Sequence, residues 1–275
     1  AETGPWIEFQ GSEIETYLRQ QAFLPAAFDP EGVRFGLVRA QDVVFDAPDG
    51  SPGHGRVASP PVSGKLPALL ILPGAGKWNW TRPYPLEDAR HGYLALDVSL
   101  EPLPPAGGSG ADPRLADKDF QLVARAYAAL RYLRSRPDVD PDRIVVAGMS
   151  QGARLALILA ALEPKLAGAV ASIPYKADIR YPERLEQPTP KNWKPGDYTD
   201  LIHFARKTGV PVLISAGLLD RVSPVSSVYN YYRNVGSERK SFVPMPRVGH
   251  FVTFEFDRRA WRWIEALAPP AVDER

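Results

Sequence analysis

A serine flanked by glycines carries the clearest chemical signal in this sequence, in the run Gly148-Met149-Ser150-Gln151-Gly152. The apolar segment 144–147 comes before it, and apolar residues at helical spacing follow it over 152–162. A serine at a sharp turn between a buried strand and a helix is typical of a nucleophile elbow, where side chains in place of the glycines would obstruct the bend. The pattern therefore predicts that Ser150 is a nucleophile.

A serine hydroxyl requires a base, and the base requires a carboxylate that orients it. His250 follows the last predicted strand, and a loop there would bring it beside the elbow. Asp220 follows an earlier predicted strand and lies between Ser150 and His250 in the chain, which is the order found with nucleophile elbows. We expect Asp220 to be the acid and His250 the base, with Asp178 as the alternative acid.

The remaining histidines and nearby aspartates have structural interpretations. His54 lies in a predicted hairpin turn, His91 at the end of a helix, and His203 in a helical stretch. Asp197 and Asp200 are expected to be solvated or to cap a helix.

Ester or amide hydrolysis at a serine also requires donors for the developing oxyanion, each contributing about 10²–10³ in turnover. The first expected donor is the backbone N–H of Gln151, directly after the nucleophile. The second is the N–H of Ala75, in the loop after the apolar run 66–72. No His, Asp or Glu spacing suggests a metal site, and no phosphate-binding glycine motif is present, so we expect neither metal nor cofactor.

The order of predicted elements indicates an α/β fold. The run 66–72 suits a strand that is buried on both faces, and strands then alternate with helices, which predicts a mainly parallel sheet with helices on both faces. We expect one domain over 1–275, with an N-terminal arm at 1–32 and a cap insertion at 175–200. The predicted strands are 33–47, 55–59, 66–72, 93–98, 144–147, 167–173, 210–216 and 241–245, and the predicted helices are 14–21, 118–134, 152–162, 224–234 and 257–268.

Composition limits the partners of the chain. Its 275 residues have a net charge of +1, which gives no reason to expect nucleic acid or an anionic membrane as a partner. No apolar run reaches the roughly 18 residues that a membrane span requires. The sequence has no cysteine and does not begin with methionine; the second feature slightly favours a secreted or periplasmic protein over a cytoplasmic one. Oligomeric state cannot be read from these patterns.

Aromatic residues are frequent near the predicted cap and the loop after 66–72. Trp78, Trp80, Tyr84 and Trp193 are candidates for lining a sugar-binding cleft. The alternative interpretation is that they pack the cap against the core.

Several motifs resemble the acetyl xylan esterase and cephalosporin-C deacetylase family, which has the α/β-hydrolase fold. The elbow run 148–153 is similar to the family's Gly-x-Ser-Gln-Gly-Gly, and the run 217–220 is similar to its Gly-Leu-x-Asp stretch. Pro224, the pair Tyr229-Asn230 and the segment 132–143 before the elbow also correspond. The resemblance implies cofactor-independent deacetylation of sugars or small acetylated molecules.

The sequence departs from this family at four places. The segment 96–100 lacks the family's Arg-Gly-Gln motif, and Ala153 stands in place of the last elbow glycine. Phe251 follows the histidine where the family has glutamate, and 73–75 replaces its His-Gly-Tyr loop. The departures affect substrate preference more than the three catalytic candidates.

We therefore expect a serine esterase that acts on short acyl groups, with acetyl preferred and a small molecule or oligosaccharide carrying the ester. A serine peptidase of the prolyl-oligopeptidase type uses the same order of residues, but the sequence before the first predicted strand is too short for its propeller domain. The third alternative is a non-catalytic binding protein on a hydrolase fold.

Overall fold

The strands and helices are known from a computed structural model, which describes residues 2–20, 32–47, 52–75, 84–100, 117–178 and 198–272. The strands are β1 (Glu2–Thr3), β2 (Ile7–Gln10), β3 (Leu37–Asp46), β4 (Pro52–Ser59), β5 (Leu66–Leu72), β6 (Leu94–Val98), β7 (Val139–Met149), β8 (Gly168–Ser172), β9 (Val212–Gly217) and β10 (Lys240–Met245). The α-helices are α1 (Gly11–Gln20), α2 (Tyr84–Arg90), α3 (Lys118–Ser135), α4 (Gln151–Leu162), α5 (Val225–Asn234) and α6 (Phe254–Leu267). Two short 3₁₀ helices are Leu201–His203 and Ala205–Lys207.

The described strands form one sheet, which is parallel over most of its width. The order is β1-β3-β4-β6-β5-β7-β8-β9-β10, with β2 also paired to β3. The strands from β6 to β10 in this order are all parallel, whereas β4, β3, β2 and β1 pair antiparallel at one side. The predicted mainly parallel sheet is therefore confirmed. Because parallel strands end at the same edge, the loops after β5, β7, β9 and β10 meet there.

Strand β5 is apolar along its whole length because helices cover both faces of the sheet. Leu70 of β5 packs in the cluster that includes α3 and α4, whereas the adjacent Leu69 packs in the cluster that includes α6. Both side chains are at most 1% exposed. The continuous apolar run 66–72 is thus buried on both faces of the sheet, as its sequence predicted.

Three helices show sequence signals at their starts or along their faces. Asp117 caps α3 by accepting a hydrogen bond from the Phe120 N–H at 2.9 Å. Thr253 caps α6 in the same way. Helix α4 is apolar on nearly all sides because it packs between the sheet and its neighbours, so its residues are buried from Gln151 to Ala160.

The N-terminal region contributes structure that the sequence patterns did not predict. Strands β1 and β2 pair with β3, so the described part of the predicted arm extends the sheet. No range was predicted for helix α2, since its seven residues contain too few apolar positions to show a period. His91 nevertheless follows the end of this helix, as expected. His54 was predicted in a turn, but it lies within β4 opposite Val44, because β4 begins at Pro52.

The predicted cap is only partly within the described residues. Residues 175–178 and 198–200 belong to its two ends, and 179–197 lie outside the described ranges. The cap and the single-domain organisation stay predictions.

Candidate active site

Ser150 lies in the sharp turn between β7 and α4. Its backbone is left-handed, with φ 55° and ψ −113°, a region that residues other than glycine adopt only when their surroundings hold them there. A Cβ atom on Gly148 would overlap the backbone of Gly152, and a Cβ on Gly152 would overlap the carbonyl oxygen of Leu72. The two glycines therefore permit the close approach that the turn requires.

His250 lies on the loop between β10 and α6 and faces the serine. Its Nε2 is 2.8 Å from Ser150 Oγ, although the two residues are 100 positions apart in the chain. The Ser150 residue is 8% exposed, and the His250 side chain is 25% exposed.

Asp220, after β9, holds the other side of the imidazole. Its Oδ2 is 2.7 Å from His250 Nδ1, and its Oδ1 accepts hydrogen bonds from the N–H groups of Val222 at 2.8 Å and Ser223 at 2.9 Å. The Asp220 side chain is fully buried. With Nδ1–H donated to this carboxylate, Nε2 is left as the acceptor for the serine proton.

The two expected oxyanion donors lie at the same edge of the sheet. Gln151 is the first residue of α4, where the helix leaves backbone N–H groups unpaired and favours negative charge. Ala75 is exposed in the loop after β5, and β5 pairs directly with β7. A Cβ atom on the adjacent Gly74 would lie 3.8 Å from Ser150 Cβ, so this loop runs next to the serine.

The alternative acid has a different hydrogen-bond partner. Asp178 is fully buried, and its Oδ2 accepts a hydrogen bond from Asn230 Nδ2 at 2.6 Å. Asp200 caps a 3₁₀ helix by accepting from the Ile202 N–H at 3.1 Å, as expected. The geometry favours Asp220 over Asp178 as the partner of His250.

The other histidines are separate from this cluster. His54 is exposed on β4, and His203 lies in a 3₁₀ helix. His91 follows the end of α2, is 1% exposed and stacks on Trp261 with ring centroids 4.1 Å apart. The candidate sugar-binding residues Trp78, Trp80 and Trp193 lie outside the described residues.

Sequence patterns did not identify the groups that hold the turn and the acid in place. The Ser150 N–H donates to the Ser172 carbonyl at 2.9 Å, and the Tyr175 N–H donates to the Ser150 carbonyl at 3.1 Å. These are backbone contacts, which residue types do not predict. One signal was available: Arg154 is the single charged residue in the apolar helix α4.

The described ranges contain no group of three or more His, Asp or Glu side chains placed to hold a metal ion. Over those same ranges, every helix is too short or too polar to cross a membrane.

Comparisons with known proteins relate the chain to acetyl xylan esterases. The family model described as acetyl xylan esterase (AXE1) matches residues 120–190 and 193–267. The chain is 26% identical over 252 residues to acetyl esterase Axe7A of Xylanibacter ruminicola, covering 77% of this chain but only 55% of that protein. The structures of an acetyl xylan esterase from Paenibacillus sp. R4 and of acetyl xylan esterase 1 from Thermoanaerobacterium sp. superpose with TM-scores of 0.71 and 0.67.

Each of these two structures is 22% identical to the chain, and the alignments cover 93% and 94% of this chain and 92% and 94% of the other. At that identity the superpositions establish the α/β-hydrolase fold. The family match spans more than half of the sequence and includes all three residues of the hydrogen-bonded cluster. The chain belongs to the acetyl xylan esterase family, whose members are carboxylic ester hydrolases.

Proposed function

We propose that this protein is a serine esterase that removes short acyl groups, with acetyl preferred, through an acyl-enzyme on Ser150. The observation that carries the proposal is the continuous chain of hydrogen bonds from Asp220 through His250 to Ser150, at 2.7 and 2.8 Å. The preference for acetyl is supported by the family and by the names of the relatives.

In the first half of the reaction, Ser150 Oγ attacks the ester carbonyl carbon while its proton passes to His250 Nε2. The carbonyl oxygen gains the negative charge, and the N–H groups of Gln151 and Ala75 are proposed to stabilise it. When the tetrahedral intermediate collapses, the C–O bond to the alcohol breaks. The proton on His250 passes to the departing alkoxide, which leaves as the alcohol.

In the second half, water attacks the acyl-enzyme. His250 takes a proton from this water, and the new tetrahedral intermediate collapses with release of Ser150, to which His250 returns the proton. The net reaction is ester plus water to alcohol plus carboxylic acid. Asp220 stabilises the imidazolium in both halves and stays ionised.

The substrate is proposed to be a small molecule or an oligosaccharide bearing acetyl esters. This proposal is supported by the family and by the two solved structures, which are acetyl xylan esterases. The chain matches only 55% of the length of acetyl esterase Axe7A, so the proposed carbohydrate is supported by the family rather than by that protein.

The test is hydrolysis of 4-nitrophenyl acetate, butyrate and octanoate by the wild type, Ser150→Ala and Ser215→Ala. Ser215 is a fully buried serine on β9 and serves as the matched control. We expect acetate to be the best substrate, and we expect turnover to fall by roughly 10⁴-fold or more in Ser150→Ala but to persist in Ser215→Ala. Acetate release from acetylated xylo-oligosaccharides then tests the carbohydrate.

Three outcomes would contradict parts of the proposal. A preference for octanoate would refute the acetyl preference, and no acetate release from the oligosaccharides would refute the carbohydrate. Turnover that survives in Ser150→Ala would refute the mechanism.

A further inference from the structure

Helix α4 contains a buried cation that the proposed reaction does not use. Arg154 lies in the first turn after Ser150 and is 0% exposed, and it is the single charged side chain in the helix. A buried charge is costly unless it is paired and hydrogen-bonded. Its partners therefore show what this residue holds together.

Arg154 joins two other parts of the chain. Its Nη2 donates to Asp119 Oδ1 at 3.0 Å, near the start of α3. Its Nη1 donates to the Thr199 side-chain oxygen at 2.8 Å and to the Thr199 carbonyl at 3.2 Å. Burial lowers the pKa of Arg154 and Asp119 opposes this, and a guanidinium stays charged in proteins.

The same network continues to the residues after β8. Lys176 Nζ forms an ion pair with Asp119 Oδ2. The Lys176 carbonyl accepts a hydrogen bond from the Leu201 N–H at 3.1 Å. The backbone on both sides of 179–197 is thus tied to Arg154, directly through Thr199 and through Asp119 for Lys176.

This network ends at the carbonyl of the candidate nucleophile. The Ser150 carbonyl accepts hydrogen bonds from the Arg154 N–H at 3.0 Å and from the Tyr175 N–H at 3.1 Å. Tyr175 directly precedes Lys176. The side chain of Arg154, through Asp119 and Lys176, therefore anchors the segment whose Tyr175 N–H binds the Ser150 carbonyl. Ser150 needs such support, since its backbone has the strained φ of 55°.

We propose that Arg154 is a positioning residue for Ser150, which it holds in the strained turn through its contacts with Asp119 and Thr199 and through the Tyr175–Lys176 segment. The inference rests on the proposed role of Ser150 as nucleophile. Loss of the network lets Tyr175 move away from the Ser150 carbonyl, and the hydroxyl loses its alignment with His250.

The chain offers a matched control pair on the same two helices. Arg134, near the end of α3, donates to Glu163 Oε2 at 2.7 Å, just after α4 ends. This pair bridges α3 and α4 at their far ends, away from the turn. Removal of either arginine should weaken the contact between α3 and α4. Only removal of Arg154 should also disturb the alignment of Ser150 with His250.

The experiment compares Arg154→Met, Asp119→Asn and Thr199→Val with the control Arg134→Met. Three quantities are measured: the kcat and KM for 4-nitrophenyl acetate, the rate constant for labelling of Ser150 by a fluorophosphonate, and the melting temperature. We expect kcat and the labelling rate to fall about tenfold or more in Arg154→Met, since small misplacements of reacting groups have effects of that size or larger. KM should change less than kcat.

Asp119→Asn and the control Arg134→Met should have smaller effects on activity than Arg154→Met. Asp119→Asn keeps an oxygen that accepts from Arg154, so it should retain more activity than Arg154→Met. Arg134→Met should lower the melting temperature and leave kcat and the labelling rate within about twofold. Equal losses in Arg134→Met and Arg154→Met would overturn the proposal.

If Arg154→Met does not fold, Asp119→Asn and Thr199→Val decide the question, and wild-type values in both would overturn the proposal. The fluorophosphonate rate does not depend on the ester chosen. A wild type that is labelled rapidly but hydrolyses no acetate would refute the acetyl preference and still allow the role of Arg154 to be measured.

Discussion

At the scale of single residues, the site depends on one buried carboxylate and its orientation. Asp220 accepts three hydrogen bonds, two from backbone N–H groups and one from His250. The backbone donors fix the carboxylate, and the carboxylate fixes the tautomer of the imidazole. The second buried aspartate at this edge, Asp178, contacts Asn230 instead.

This difference predicts a large loss of kcat in one conservative variant and a small loss in the other. Asp220→Asn should lower kcat for 4-nitrophenyl acetate by roughly 10³- to 10⁴-fold, because an amide facing Nδ1 favours the wrong tautomer. Asp178→Asn should retain kcat within about tenfold, because Asp178 does not contact His250. Steady-state kinetics of the two purified proteins, with melting temperatures as a check on folding, make the comparison. A larger loss in Asp178→Asn than in Asp220→Asn would reverse the assignment.

At the scale of elements, the turn between β7 and α4 determines where the serine hydroxyl lies. The helix can begin directly after the strand only because Gly152 approaches the Leu72 carbonyl of β5 more closely than any Cβ allows. The strand β5 also leads into the loop with Ala75. The nucleophile and the proposed oxyanion donor are thus positioned by the same contact.

Gly152→Ala is expected to disrupt this contact. The added methyl group overlaps backbone atoms that cannot rotate away, so α4 and β5 must separate. We expect destabilisation by about 1–3 kcal/mol or more and a fall in kcat of at least about tenfold. Urea unfolding and esterase assays measure both.

The control for this prediction is Gly209→Ala. A Cβ at Gly209 meets nothing within 4 Å, so stability should change by less than about 0.5 kcal/mol. Unchanged stability and activity in Gly152→Ala would show that the turn tolerates a wider separation than its geometry implies.

At the scale of the whole molecule, the sheet contains a partly buried acid outside the candidate site. Asp97 lies on β6 between Arg56 of β4 and Ile71 of β5. Burial raises the pKa of Asp97 to about 7, and the Val98 N–H and Arg56 partly oppose this effect. The folded protein therefore holds a proton on Asp97 at pH values where the unfolded chain has lost it.

The sign of the resulting pH dependence follows directly. Because the folded-state pKa lies above the unfolded one, Asp97 makes the free energy of unfolding fall as pH rises from about 4 to about 7, by an amount on the order of a few kcal/mol. Asp97→Asn should remove this slope and should be more stable than the wild type at pH 8. Urea unfolding between pH 4.5 and 8 measures it, with the exposed Asp142→Asn as control. An Asp97→Asn profile parallel to that of the wild type would contradict the prediction.

The sequence by itself determined the order of elements and the identity of the chemical groups. The apolar run 66–72 and the alternation after it specified a parallel sheet because burial on both faces requires continuous apolar strands. The glycines around Ser150 specified the turn because only glycine permits the close approach found there. The sequence did not predict the ranges of short elements such as α2, β1 and β2, because so few residues show no hydrophobic periodicity.

Only the tertiary structure decided which groups meet. Asp178 and Asp220 both follow parallel strands, and the sequence favoured Asp220 but left Asp178 open as the alternative. In the structure, the loop after β10 brings His250 to Asp220. The sequence marked Arg154 as a charge in an apolar helix but did not show its partners, because Asp119 and Thr199 lie 35 and 45 positions away. Burial, hydrogen-bond partners and the support of a strained turn are properties of contacts between distant segments, and these exist only once the sheet has formed.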